Sequence, residues 1–232
     1  MKTFFGVSSN TPSNIRLKNG YTLYDWVMRQ KGFPLFWGRT LFGTNAITEE
    51  EMQFLKDKNC KILFVDRALT EREISAKSGH DSAIRVVEAL GKFKIPRNQG
   101  IAVLADIKPE WSVNHNWMIT FAKVISSHGY IPGFIGNTDS SKNFNFDRQC
   151  SHYVQATQDV KQYGAVYCAT EPKCENEPEE WMPFCPSALE PKDMQLWACG
   201  YTKFGDIKVD DIYAKDKKTL EIMFERKYNK NE

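Results

Sequence analysis

Lys61-Ile62-Leu63-Phe64-Val65-Asp66 is followed by an amphipathic stretch, Ser78–Phe93, and then by Gly100-Ile101-Ala102-Val103-Leu104-Ala105-Asp106. Two short apolar runs, each ending in an acid, thus flank a segment that sets Ala83, Val86, Val87 and Leu90 on one helical stripe. Runs apolar on both faces suit strands covered on both sides, and a helix between two such strands makes them parallel. The same alternation extends outward in both directions. Further candidate strands are Thr3–Ser8, Leu35–Phe42, Tyr130–Asn137, Ala165–Glu171, Met194–Ala198 and Ile207–Asp210. With the first two they make about eight, the number that closes a (β/α)8 barrel.

Helical periodicity is also visible over Tyr21–Lys31, Val113–His128, Phe146–Tyr163 and Lys217–Tyr228. Another helix starts at Thr48, where Thr-Glu-Glu-Glu reads as a capping box with Glu51. Pro172–Pro191 reads as a long crossover loop or short helix, and 199–206 as a plain loop between the last two strands. The expected fold is α/β, a (β/α)8 TIM barrel irregular between the last two strands, with residues 1–232 forming one domain.

Composition narrows the function classes. The chain has 31 basic and 29 acidic residues, interleaved, so no basic stripe for nucleic acid is expected. No run approaches the roughly 18 apolar residues of a membrane helix, and the start lacks a signal-peptide core. The expected location is therefore cytoplasmic, with export by a non-Sec route or release on lysis as alternatives. The six cysteines form no CxxC pair; a Cys174–Cys185 bridge across the Pro-rich loop is one option, free thiols the other.

Strand parity points to a site. Side chains alternate across a strand, so Ala102, Leu104 and Asp106 share one face and the larger set, Ile101, Val103 and Ala105, shares the other. The larger set should face the helices, which leaves Asp106 in the lumen at the carboxyl end, where barrels place their chemistry. The same parity groups Ile62, Phe64 and Asp66. Asp66 is a catalytic candidate or, beside Arg67, half of a structural ion pair. Glu171 is a second mouth acid or a solvated loop residue. Asp210, inward in preference to Asp211, is the acid of the last strand.

Trp37, Trp111 and Trp197 lie at or beyond strand ends, where they would stack on sugar rings or simply fill the core. Asn137 closes the fifth strand and joins them as a substrate-binding candidate. The four histidines show no zinc spacing, and no P-loop, GxSxG or GxGxxG is present, so no metal and no cofactor is expected.

Taken in order, several motifs together resemble a known family. They are Phe5-Gly6-Val7-Ser8, Phe36-Trp37-Gly38-Arg39, Ile47-Thr48-Glu49-Glu50-Glu51 and Gly79-His80-Asp81-Ser82-Ala83. Ile101–Asp106, Gly133-Phe134-Ile135-Gly136-Asn137, Gln195-Leu196-Trp197-Ala198 and Val209-Asp210 complete the set. The chain resembles the glycoside-hydrolase-like barrels of the Rv2525c type (domain of unknown function 1906) and, distantly, the family-25 glycoside hydrolases, the phage-type lysozymes.

The resemblance implies a barrel with an acid-lined mouth and a glycan or cell-wall polysaccharide partner. It matches Asp106 to the acid ending the fourth strand and Asp210 to that of the last. Two positions depart from the family pattern: Ser8 replaces the first-strand Asp, and Lys108 replaces a second acid after the fourth strand. The expected function is a glycoside-hydrolase-like protein acting on a glycan, peptidoglycan included, by carboxylate acid/base chemistry. A catalytically inactive glycan-binding barrel is the alternative those departures open, and a metal-dependent hydrolase is a third.

Overall fold

A computed structural model of the chain describes residues 2–139, 145–157 and 166–226. Among them, eight strands close into a barrel in chain order. They are β1 (Phe4–Ser8), β2 (Phe36–Thr40), β3 (Lys61–Asp66), β4 (Ala102–Asp106), β5 (Ile131–Gly136), β6 (Val166–Ala169), β7 (Leu196–Phe204) and β8 (Ile207–Ala214). The strands from β1 to β7 pair in parallel, each with the next. β8 runs the other way, antiparallel to both β7 and β1.

The expected irregularity is therefore a hairpin. Residues 199–206, read as a loop, are mostly strand, turning at Gly205-Asp206 with Gly205 at φ +56°. That left-handed backbone is the conformation a tight two-residue hairpin turn requires, and glycine adopts it without strain. β8 begins at the mouth and descends. Asp210 thus reaches the rim from the strand's first half, not from its end as expected.

The helices are α1 (Leu23–Lys31), α2 (Glu49–Asp57), α3 (Glu71–Ile74), α4 (His80–Lys92), α5 (His115–Ser127), α6 (Asn145–Ala156) and α7 (Lys217–Glu221). The α4 stripe of Ala83, Val86, Val87 and Leu90 is buried as its spacing requires. At α2 the Thr48 hydroxyl accepts from the Glu51 N–H, but the Glu51 carboxylate turns into the protein instead of closing the box. The reciprocal box sits one helix later, at Thr70 and Glu73. Only a 3-10 turn, Pro191–Asp193, interrupts the long β6–β7 connection. α7 ends at Glu221, so 222–226 are not helical as its periodicity suggested, and the expected helix at 158–163 and 227–228 lies outside the described residues.

Two cores follow from parity. Phe36, Leu63, Val65, Ala102, Leu104, Cys168, Leu196 and Ile212 fill the lumen, and Leu220 and Met223 close it from below. Trp37, Ile62, Phe64, Val103, Ala105 and Phe134 pack outward against the helices. Gly6 leaves the lumen open for Phe36, whose ring would lie 2.5 Å from any added Cβ. Burial of these two layers is the main stabilising contribution to the fold.

A buried ion pair ties the first two loops together. Arg39 on β2 donates from Nε to Glu51 Oε1 at 2.8 Å, and from its two terminal nitrogens to the carbonyls of Ser9 (2.8 Å) and Asn45 (2.7 Å). The same Glu51 oxygen accepts from the Ser13 N–H and hydroxyl.

Candidate functional site

With Ala102 and Leu104 packed in the lumen, the next alternate residue of β4, Asp106, emerges at its open end. Its Oδ2 receives Lys108 Nζ at 2.6 Å and Arg67 Nε at 3.4 Å. Arg67 continues the lumen face of β3 beyond Leu63 and Val65. It also donates to Ser8 Oγ (2.5 Å) and Asn10 Oδ1 (2.7 Å), so one guanidinium spans β1, its following loop and β4.

Across the rim, Asp210 lies opposite Ser8 in the antiparallel register and is held by Lys208 at 2.7 Å. The Cys168 thiol lies in the lumen between the two sides. Burial first, then the charges of Asp106 and Asp210, push it up to about 12, while the Ala198 backbone and Arg67 pull the other way. Both acids therefore border the same floor residue.

Asp106, Asp210, Glu171 and Asn137 all line a cavity of about 360 Å³ at this end of the barrel. Glu171 follows β6 and, among the described residues, has no cation held against its carboxylate. Asn137 continues the inward face of β5, and its Oδ1 accepts from the Asp139 N–H at 2.9 Å. Arg67, Lys108, Lys173 and Lys208 share the wall, so cations slightly outnumber the three acids. The rim is a mixed-charge surface and not the acidic one expected.

Four of the residues singled out in the sequence lie elsewhere. Asp66 faces the helices, fully buried, and pairs with Arg85 at 3.2 Å, not with Arg67. Leu63 and Val65 are the inward set of β3, so parity carries Asp66 outward with Ile62 and Phe64. Burial raises Asp66 above the usual carboxylate range even with Arg85 beside it. Asp66 thus stands apart from Asp106 and Glu171, and no group of three metal-ligating side chains occurs among the described residues.

Trp37 is fully buried and stacks on Tyr24 at 5.7 Å between ring centres. Trp197 packs edge-on against Trp181 and donates to the Pro172 carbonyl at 3.0 Å. Trp111 is half-buried against the helix-facing core and does not line the cavity. Trp37 and Trp197 follow the outward parity of β2 and β7, and Trp111, in the loop after β4, packs against the same core, so all three are core aromatics. The aromatic that does line the mouth is Tyr201, 52% exposed on the extension of β7. The alternation across the Gly205-Asp206 turn is the sequence signal that would have found it.

No protein-family model and no curated protein matches the chain. Solved structures do. An uncharacterised B. stearothermophilus protein superposes with a TM-score of 0.77 at 20% identity, over 95% of this chain and all of that one. The Mycobacterium tuberculosis Tat-secreted protein Rv2525c gives 0.57 at 12% identity, over 91% and 95% of the two chains. A family GH25 lysozyme from Aspergillus fumigatus gives 0.54 at 9% identity, over 95% and 98%. The chain shares its barrel fold with these proteins. At these identities the likeness is one of architecture, and what the mouth does has to be argued from its own residues. Among the described residues no helix is long and apolar enough to cross a membrane.

Proposed function

We propose that the protein acts on a glycan at the open end of the barrel, with Asp106 as its central carboxylate and Glu171 as proton donor. The observation that carries this reading is the contrast between the two acids on one cavity wall. Asp106 is locked in ion pairs with Lys108 and Arg67, whereas Glu171 has no ion-pair partner among the described residues. Glycosidic cleavage uses such an unequal pair: one carboxyl gives its proton to the leaving oxygen, while a carboxylate stabilises the developing positive charge or activates the attacking group. Asp210, fixed by Lys208 across the rim, supplies a second charged carboxylate to the same space. Tyr201 offers the exposed ring for a sugar face. The lysozyme among the structural neighbours supports cell-wall polysaccharide, peptidoglycan included, as the first substrate class to try.

The test is release of reducing ends from peptidoglycan and from soluble chito-oligosaccharides. Asp106→Asn and Glu171→Gln should each lower the rate by about 100-fold or more. Undiminished hydrolysis by Asp106→Asn would overturn the assignment.

A second reading, binding without turnover, is favoured by one contact. Ser8 stands on β1 where the resemblance calls for an acid, and its hydroxyl is engaged by Arg67. In that case the wild-type protein retains glycan and releases no product, and Tyr201→Ala weakens retention.

A further inference from the structure

The connection leaving β6 carries Glu171 and Lys173 past the cavity and then returns to β7. Two contacts fasten it there. Trp197 Nε1 donates to the Pro172 carbonyl at 3.0 Å, and the Cys174 N–H donates to the Cys199 carbonyl at 2.6 Å. With ordinary bond lengths, a hydrogen bond this short keeps the Cα atoms of Cys174 and Cys199 within about 6.5 Å of each other, inside the range that a disulfide spans.

Cys199 is also the extra residue of a β-bulge, since Ala198 pairs with Ile212 and Gly200 with Asp211. A bulge re-aims the side chain it inserts. Here each of the Cys174 and Cys199 thiols bears on the other's ionisation, while the Cys174 thiol itself donates to the Pro172 carbonyl at 3.8 Å. Cys185 is directed elsewhere, its thiol against the Leu189 carbonyl at 3.2 Å. The bridge the Pro-rich loop first suggests, Cys174–Cys185, is thus not the one the geometry prepares. All six cysteines are free thiols in this structure.

We propose that Cys174 and Cys199 form a reversible disulfide that staples the Glu171–Cys174 segment to β7 at the mouth of the barrel. A low-molecular-weight disulfide is the oxidant. The thiolate of Cys174, the more exposed of the two, attacks one of its sulfurs and expels the first small thiolate, leaving a mixed disulfide on Cys174. The Cys199 thiolate then attacks the Cys174 sulfur and expels the second. The two protons lost by the protein thiols pass to the two released thiolates. Two protein thiols are oxidised and one small disulfide is reduced to two thiols.

Burial raises both thiols, Cys199 far more than Cys174, so few thiolates exist near neutrality and the exchange quickens as pH rises. Bond formation does not depend on what the mouth binds. Its consequence is positional, because the staple fixes the backbone that carries Glu171 and Lys173.

The experiment treats the folded full-length chain with oxidised glutathione, alkylates it in denaturant, and maps peptides by mass spectrometry without reduction. The expected result is a loss of two hydrogens, four of the six thiols still open to alkylation, and a linked peptide pair holding Cys174 and Cys199. Dithiothreitol should restore all six. Cys185→Ser should leave the linked pair intact, and Cys199→Ser should stop at glutathionylated Cys174. Six alkylatable thiols after treatment, a Cys174–Cys185 link, or wild-type protein arrested at the mixed disulfide would each overturn the proposal.

Discussion

Replacing Arg39 by Met tests whether the loops behind the site are held by a buried charge pair. The Arg39 and Glu51 side chains are 0% and 1% exposed, 2.8 Å apart. Methionine of similar length fills the volume but removes three donors at once: those to Glu51 Oε1, Ser9 O and Asn45 O. Glu51 Oε2 already lacks a partner among the described residues, so the carboxylate would keep only its two bonds from Ser13. Breaking one side of a buried pair in this way costs about 3–5 kcal/mol. The unfolding entropy of a 232-residue chain is about 0.5 kcal/mol per kelvin, which turns that cost into a Tm drop of about 6–10 °C. Urea and thermal melts followed by circular dichroism measure both quantities. Adding Glu51→Gln, which removes the stranded charge but keeps an acceptor for Ser13, should recover about 1 kcal/mol or more. A cost below about 1 kcal/mol for Arg39→Met, or a double variant that simply adds, would refute the reasoning.

Other outcomes follow from the same contacts. Trp37→Ala, in the packed helix-facing layer, should cost about 3–5 kcal/mol in urea melts, while Tyr201→Ala at the rim should stay within about 0.5 kcal/mol and weaken glycan retention instead. Lys108→Met should cost no more than about 1 kcal/mol of stability, because the lysine is 40% exposed, yet alter the pH profile of any glycan hydrolysis. Stability should fall in acid. Asp25 is held low chiefly by the Thr22 hydroxyl; in Glu73 and Asp216 burial pushes upward but the Thr70 and Thr219 hydrogen bonds outweigh it. A depressed folded-state value means that stability is present above the ordinary carboxylate range and lost as pH drops through the lowered values. Asp66, raised by burial, works in the opposite sense, its contribution lost as pH rises through its elevated range. Thr70→Val, which deletes the cap at Glu73, should flatten the acid limb of urea midpoints measured from pH 3 to 6; an unchanged limb would count against this account.

Much of the barrel was legible because β/α alternation is a property of composition and period. The inward face of β4 was readable as well, since its two alternating sets differ in bulk and only one ends in an acid. β3 offered no such contrast. Both of its faces are apolar, and the charged residues that distinguish them, Asp66 and Arg67, are adjacent. The choice between them was made by packing: Leu63 and Val65 fill the lumen beside Phe36, and Phe64 packs in the helix layer against Phe224. Arg67, the cation at the centre of the rim, was therefore first read as a partner for its neighbour. The tryptophans illustrate the same limit, because proximity to a strand end does not say which side of the strand a ring takes. Period two also fixes faces without fixing direction, so the reversal of β8 could be read only from the hairpin turn before it.

That reversal has a practical consequence. Because β8 descends, Ala214 finishes beside Phe4, and the segment after it folds across the floor, where Ile222 O and Phe224 O accept from the N–H groups of Ala102 on β4 and Ile62 on β3. The described segments before β1 and after β8 therefore both lie on the pole opposite the cavity. A tag, a bead or a tether joined beyond either of these floor segments would present the cavity to the bulk. Under the proposed function, protein immobilised through either segment should retain a polymeric glycan as well as free protein does.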